Sequence, residues 1–270
     1  MDSISPSKKN SNSLMHLGTS GWSYEDWVGN FYPKGTASGK WLDYYITQFS
    51  SVEVDSTFYA IPPRSRVERW AEVAPPGFEY ALKVPQVITH EKSLIGCDVE
   101  MGEFLSVAEV LGEHLGPILF QFPYSFKPER IHDLLTFVDA LPLDSDFRFV
   151  VEIRNRAWLK SKLPDELQAR NLPLCLVDHP WMPHETRVTG RFVYLRLLGD
   201  QKAITEFDRT QKDMQKNLVF WAACARLWLK QNLPVYGFFN NHFSGHAPSD
   251  VRAFAELLNS QKSKLPTDRN

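Results

Sequence analysis

The sequence predicts an α/β protein, a TIM-barrel-like (β/α)8 fold in a single domain. Three observations carry that expectation. Eight short apolar runs recur from end to end, and helical patterns separate most of them. Most of the runs are near-continuous in Val, Ile, Leu and Phe, which strands covered on both faces require.

In chain order the strand candidates are Met15–Ser20, Ser51–Ser56, Glu79–Val84, Pro117–Phe122, Phe149–Arg154, Leu174–Asp178, Phe192–Leu198 and Val235–Asn240. Between them, Ser65 with Glu68 forms a capping box ahead of Val67, Trp70 and Val73. Asp98 is placed to cap a helix carrying Met101, Phe104, Leu105, Ala108 and Leu111, which stops at Gly116. Pro128 suits a first helical position before Ile131, Leu134, Leu135 and Val138. Helices around Trp221 and over Val251–Leu258 complete the series. The stretch between the sixth and seventh strands, His179–Arg191, holds Pro180, Pro183 and Gly190 and no helical period, so a distorted connection is expected there. An open doubly wound sheet is the alternative, but it would carry a glycine fingerprint after its first strand. Here that strand ends in GTSG (Gly18–Gly21), not GxGxxG. The polar, Ser-rich Met1–Ser13 reads as a disordered tail, residues 14–262 as the barrel domain and 263–270 as a C-terminal tail.

With 30 Lys+Arg against 32 Asp+Glu the formal charge is -2, so any basic site must be local rather than a whole-surface footprint for DNA or anionic membrane. A hydrophobic content of 43% and a charged content of 23% exclude global disorder. Cys97, Cys175 and Cys224 show no CxxC spacing and read as free thiols in a reducing compartment, not as a disulfide or zinc framework. No apolar run approaches the roughly 20 residues of a membrane helix, so the expectation is a cytoplasmic protein without a membrane partner.

Strand parity locates the chemistry. Side chains at i and i+2 share a face, which sorts Val52 and Val54 from Glu53 and Asp55, and Val151 and Ile153 from Glu152 and Arg154. The apolar sets suit the strand–helix interface, so the polar sets are expected to converge on the axis near the C-terminal strand ends, where this fold holds its active sites. That constellation is Glu53, Lys83, Gln121, Glu152, Arg154, Asp178 and Arg196, with Asn240 or Asn241 from the last strand. A charge-balanced ion-pair network is the structural alternative, although such a network is often no more stabilising than apolar packing. The loop Ser20–Lys40 carries Trp22, Tyr24, Trp27, Phe31 and Tyr32, either a stacking wall over the mouth or a satellite core. His90, beside Glu91 and Lys92, is a candidate acid/base in the loop after the third strand.

Common templates fit poorly. The strand-four and strand-seven positions that barrel glycosidases often fill with carboxylates hold Gln121 and Arg196. Neither HxH nor HExxH occurs, so a divalent metal has no strong ligand motif, and the metal and cofactor content is left unknown. A Lys83 Schiff base is conceivable if Arg154 and Arg196 depress its basicity. The inward Arg and Lys favour an anionic ligand, since guanidinium groups bind phosphate or carboxylate bidentately.

Eight ordered motifs also resemble the YecE-like family (domain of unknown function 72) over roughly His16 to Leu258. They are GTSGWSY (Gly18–Tyr24), FYP (Phe31–Pro33), VEVDSTFY (Val52–Tyr59), KVPQVITH (Lys83–His90), GPILFQFP (Gly116–Pro123), VEIRNRAW (Val151–Trp158), YLRLLG (Tyr194–Gly199) and FFNNHFSGHAP (Phe238–Pro248). The resemblance implies a TIM-like barrel and, by remote likeness to metal-dependent apurinic-site endonucleases, phosphodiester or nucleic-acid binding. It implies no particular reaction. Family members commonly carry Asn where this chain has Asp55, which adds a negative charge near Glu53.

The leading expectation is an enzyme, a hydrolase or an isomerase/lyase, acting on an anionic small substrate or phosphoester. Glu53, Lys83, His90, Glu152 and Asp178 are the candidate catalytic groups. Trp22, Tyr24, Gln121, Arg154, Arg196, Asn240 and Asn241 are the candidate binding groups. The alternatives are a nucleic-acid-binding barrel and a non-catalytic ligand-binding barrel.

Overall fold

The computed structural model describes residues 14–200 and 203–260. The tails expected at 1–13 and 263–270 lie outside the described residues, as does the end of the 14–262 span.

All eight expected strands form, each within a few residues of its apolar run: β1 (Met15–Thr19), β2 (Ser51–Val54), β3 (Glu79–Lys83), β4 (Leu115–Gln121), β5 (Phe149–Glu152), β6 (Leu176–Asp178), β7 (Val193–Leu197) and β8 (Val235–Phe239). Every pairing is parallel. The strands make two four-stranded sheets, β2-β3-β4-β5 and β1-β8-β7-β6, rather than one continuous ladder. Two narrow seams join them. At the first, Ser20 bridges Glu53 and the Gly21 amide donates to the Glu53 carbonyl at 2.8 Å. At the second, Val151 bridges Leu174 and the Cys175 amide donates to the Val151 carbonyl at 2.7 Å. The glycine of the GTSG run serves the first seam: a Cβ on Gly18 would lie 1.8 Å from the Ser51 carbonyl oxygen, so only glycine lets β1 approach β2.

Helices α1 (Trp41–Tyr45), α2 (Ser56–Tyr59), α3 (Arg64–Val73), α4 (Asp98–Ala108), α5 (Ile131–Asp139), α6 (Leu163–Ala169), α7 (Gln215–Lys230) and α8 (Ala247–Asn259) fill the connections. Local cap expectations are corrected at two of them. Ser65 lies inside α3, whose N-cap is Pro63, and Asp98 lies inside α4, whose N-cap is Cys97; neither helix has a side-chain cap bond. The α4 segment also breaks earlier than Gly116, at Gly112, which takes a positive φ of 53° after a 3₁₀ turn. Pro128 does open a helical turn, a 3₁₀ segment that runs into α5. The expected distorted connection is present: residues 179–192 carry no helix.

The apolar strand sets lie in the core: Val52, Val54, Val151 and Ile153 are buried. At the N-terminal strand ends, Tyr236 stacks on His16 with centroids 4.4 Å apart and donates to Glu79 Oε2 at 3.0 Å. Glu79 in turn pairs with Arg148 at 2.9 Å. Those residues close one end of the strand assembly, and the chemistry-bearing cluster lies at the other.

Candidate functional site

Parity brings five of the expected side chains together at the C-terminal strand ends. Arg196, on β7, is the centre. Its Nε and Nη2 donate to Glu53 Oε1 on β2 at 3.1 and 2.7 Å, and its Nη1 donates to Glu152 Oε2 on β5 at 2.6 Å. Glu53 Oε1 also accepts from Ser20 Oγ at 2.8 Å, and Oε2 accepts from the Tyr194 hydroxyl at 2.7 Å. Arg154, just past β5, sets its Nε on the other oxygen of Glu152. Glu53 and Glu152 have no exposed side-chain surface and Arg196 has 2%. Buried ions are tolerated here because each carboxylate is paired and hydrogen-bonded.

Above this floor the groups are looser. Lys83, at the end of β3, places Nζ 3.9 Å from Asp55 Oδ1 and 4.1 Å from the centroid of the Phe58 ring. Arg196 Nη2 approaches the same Asp55 oxygen to 3.7 Å. None of these approaches to Asp55 Oδ1 is a hydrogen bond, and that oxygen is buried without a partner. Side-chain exposure rises to 10% at Lys83, 19% at Arg154 and 30% at Asp55.

The electrostatics follow. Burial raises the Glu152 carboxyl, yet the fields of Arg154 and Arg196 outweigh it and hold it down to about 2. Glu152 is therefore a fixed counter-ion for two guanidinium groups and a weak proton acceptor. Burial and the neighbouring Glu53 carboxylate push Asp55 above the usual carboxylate range. Burial pulls Lys83 below the usual lysine range, opposed by Asp55 and assisted by Arg196. His90 belongs to the same mouth. It sits in a π-helical turn (Val87–Glu91) after β3 and stands edge-on to Phe58 at 5.0 Å; burial, then the charges of Lys83 and Arg154, lower its basicity.

Other expected site residues are placed differently. Asp178 turns away from the cluster: its Oδ2 accepts from Trp221 Nε1 at 2.7 Å and Asn217 Nδ2 at 2.8 Å, both on α7, and lies 3.3 Å from His184 Nε2. The side chains at β6 have the parity opposite to that expected. Cys175 faces the cluster, with Sγ 4.0 Å from Glu152 Oε2. Asn241 is also held away, its Oδ1 accepting from Trp27 Nε1 at 3.1 Å and the Ala247 amide at 3.0 Å, which fastens the aromatic loop to the last strand. Asn240 Oδ1 accepts from the His242 amide at 3.0 Å within that turn. Gln121 is buried in register with Glu152, and its Nε2 lies 3.4 Å from the Phe122 carbonyl.

The aromatic loop divides. Trp27, Phe31 and Tyr32 are buried and pack together, a satellite core, with Trp27 and Phe31 centroids 5.4 Å apart. Tyr24 stays at the site, donating to the Ser20 carbonyl at 2.8 Å; burial, then Asp55 and Glu53, raise its hydroxyl above the usual tyrosine range. Trp22 packs edge-on against Trp70 at 5.7 Å.

Sequence reasoning did not name Ser20, Tyr194, Cys175 or Phe58 as site residues. Tyr194 shares parity with Arg196, and that was the available signal; the others depend on contacts between strands. A further groove was also missed. It has a volume of about 1130 Å³, is lined by Tyr124, Asn155, Arg156, Lys160 and Trp181, and lies beside Arg154 along the chain. Tyr124 and Trp181 are 68% and 70% exposed. Among the described residues no group of three or more His, Cys, Asp or Glu side chains is arranged to hold a metal ion. Nor is any helix among them long and apolar enough to cross a membrane.

Parallel strands with converging acidic and basic side chains at their C-terminal ends define an α/β protein of TIM-like design. The chain belongs to the family described as protein of unknown function DUF72, whose model matches residues 16–270. It is 32% identical to the protein YecE of Escherichia coli K12 over 142 residues, 53% of this chain and about half (49%) of YecE. It is 26% identical to YunF of Bacillus subtilis 168 over 284 residues, covering 93% of this chain and 97% of YunF. The crystal structure of a DUF72 family protein from Thermotoga maritima superposes with a TM-score of 0.78 at 26% identity, over 92% of this chain and 100% of that one. That of a DUF72 family protein from Enterococcus faecalis gives 0.71 at 22% identity, over 92% and 98%, a likeness of fold.

Proposed function

We propose that the two sheets act as a (β/α)8 barrel split at two seams, and that its C-terminal mouth is an active site for an anionic small molecule handled by acid/base chemistry. The observation that carries this is the layering of charge. Glu53, Glu152 and Arg196 are sealed, with Arg196 hydrogen-bonded to both carboxylates, whereas Arg154 and Lys83 stand partly open above them. Arg154 uses only Nε on Glu152, and its two terminal nitrogens make no hydrogen bond among the described residues. Those nitrogens form a fork suited to a carboxylate or phosphate. Asp55 is shifted up toward the working pH, where a useful acid or base titrates, and His90, its basicity lowered by burial, favours the neutral imidazole that can accept a proton. Glu53 and Glu152 orient the arginines. Hydrolysis, isomerisation and lyase chemistry all use such groups.

Titration of the protein with inorganic phosphate and with malonate, read by thermal unfolding, tests the reading. A rise in Tm that disappears in Arg154→Ala supports it. Equal rises in both proteins place the anion elsewhere.

A second reading, a nucleic-acid-binding barrel, is favoured by the groove lined by Tyr124, Arg156, Lys160 and Trp181. There the exposed Tyr124 and Trp181 offer faces for base stacking, and Arg156 and Lys160 offer charge for phosphate. Binding of single-stranded DNA that weakens steeply with salt and is lost in Trp181→Ala would support it; absence of retention at low salt would remove it.

A further inference from the structure

We infer that Lys83 is a nucleophile that forms an imine with the carbonyl group of an anionic aldehyde or ketone held by Arg154. The inference rests on the anion-binding reading above and adds to it the substrate's reacting group.

Three geometric facts single out Lys83. It is buried to 8% exposure, yet among the described residues its Nζ makes no hydrogen bond: the nearest carboxylate oxygen there, Asp55 Oδ1, is 3.9 Å away and has no hydrogen-bond partner itself. Arg196, more deeply buried, is by contrast hydrogen-bonded through all three of its nitrogens. The amine also stands 4.1 Å from the centroid of the Phe58 ring, a surface with no lone pair to accept a proton from it. The root of the side chain is fixed as well, since the Lys83 amide donates to Thr57 Oγ1 at 3.1 Å and that hydroxyl donates back to the Lys83 carbonyl at 2.7 Å. An amine desolvated this way, close to a second cation and not consumed by a tight ion pair, is the arrangement that activates lysine for carbonyl chemistry.

The step balances without an oxidant or reductant. The unprotonated Lys83 nitrogen attacks the carbonyl carbon, a C–N bond forms, and the π pair moves to oxygen. A proton passes from the new ammonium to that oxygen through Asp55 or His90. The nitrogen lone pair then forms the C=N bond as the C–O bond breaks with its electron pair, and the remaining nitrogen proton, relayed by the same groups, goes to the departing hydroxyl, releasing one water and leaving the imine. Hydrolysis reverses the sequence.

The test is reductive trapping of the full-length wild-type protein with cyanoborohydride and two probes, glyoxylate as an anionic aldehyde and propionaldehyde as a neutral one, with sites read by peptide mass spectrometry. The expected result is labelling of Lys83 by glyoxylate at least about tenfold faster than of the exposed Lys40, with that advantage reduced in Arg154→Ala. Lys83→Arg should lose the trapped product while other lysines label as before. Labelling of Lys83 no faster than Lys40 by either probe overturns the inference. If glyoxylate still raises the wild-type Tm through Arg154 in that case, the anion reading survives alone. Fast labelling of Lys83 by propionaldehyde with no preference for glyoxylate keeps the nucleophile and overturns the anionic substrate.

Discussion

Arg196 meets Glu53 through two nitrogens that converge on a single carboxylate oxygen, at 3.1 and 2.7 Å, while the Tyr194 hydroxyl takes the other oxygen at 2.7 Å. β2 and β7 belong to different sheets, so this pair ties the sheets together across the interior. Replacing Arg196 by Met would leave Glu53 buried without its cation and Glu152 with only one. The expected cost is about 3–5 kcal/mol in urea unfolding. Arg154→Ala should cost about 1–2 kcal/mol, because Glu152 keeps Arg196. Equal losses would mean that floor and rim are one structural network.

Asp178 provides a separate check, since its carboxylate serves α7 rather than the mouth. Asp178→Ala removes the acceptor of the buried Trp221 indole, and a loss of about 1–3 kcal/mol is expected with anion binding by the folded protein unchanged. Loss of binding at unchanged stability would return Asp178 to the site.

Close approach of β1 to β2 makes Gly18 a sensitive position. With a Cβ placed 1.8 Å from backbone that belongs to the neighbouring strand, Gly18→Ala should destabilise by more than about 3 kcal/mol or prevent folding. A thermal unfolding scan indistinguishable from wild type would show that the seam opens freely.

Acid sensitivity has a named source in His246. Burial, with Arg252 nearby, lowers it from 6.5 to about 4, and its Nδ1 lies 2.7 Å from Ser249 Oγ. The folded state holds the neutral ring, so its contribution is complete above pH 6.5 and is lost as pH falls from 6.5 towards 4. Between those limits the wild type should lose about 1–3 kcal/mol that His246→Gln does not. Glu152, held down to about 2 from 4.5, adds a second loss at lower pH, present above 4.5 and gone as pH falls through 2. Parallel stability curves for wild type and His246→Gln between pH 6.5 and 4 would contradict the assignment.

The strands were legible because their double-sided burial leaves a plain apolar signature, and parity correctly grouped Glu53, Lys83, Glu152, Arg154 and Arg196. Parity failed at Asp178 for a physical reason: it assumed that polar side chains face the axis, and the donors that satisfy Asp178 lie on α7, about 40 residues away in sequence (|i−j| 39 to Asn217 and 43 to Trp221). Helix caps misled as well, since Ser65 and Asp98 sit inside α3 and α4, whose N-caps Pro63 and Cys97 make no side-chain cap bond. The split between the two sheets left no mark in the apolar runs, because backbone pairing at a seam depends on strand placement rather than on residue type. Tyr124 and Trp181 were unreadable as a groove for a similar reason: they lie on loops after different strands.

Soaking crystals of the protein with tungstate and measuring anomalous scattering tests the central claim, that the layered charges form an open anion site, most directly. The account predicts tungstate within hydrogen-bonding distance of the terminal nitrogens of Arg154, on the side of Lys83. Strong tungstate sites elsewhere on the surface, with none at Arg154 under saturating conditions, would contradict it.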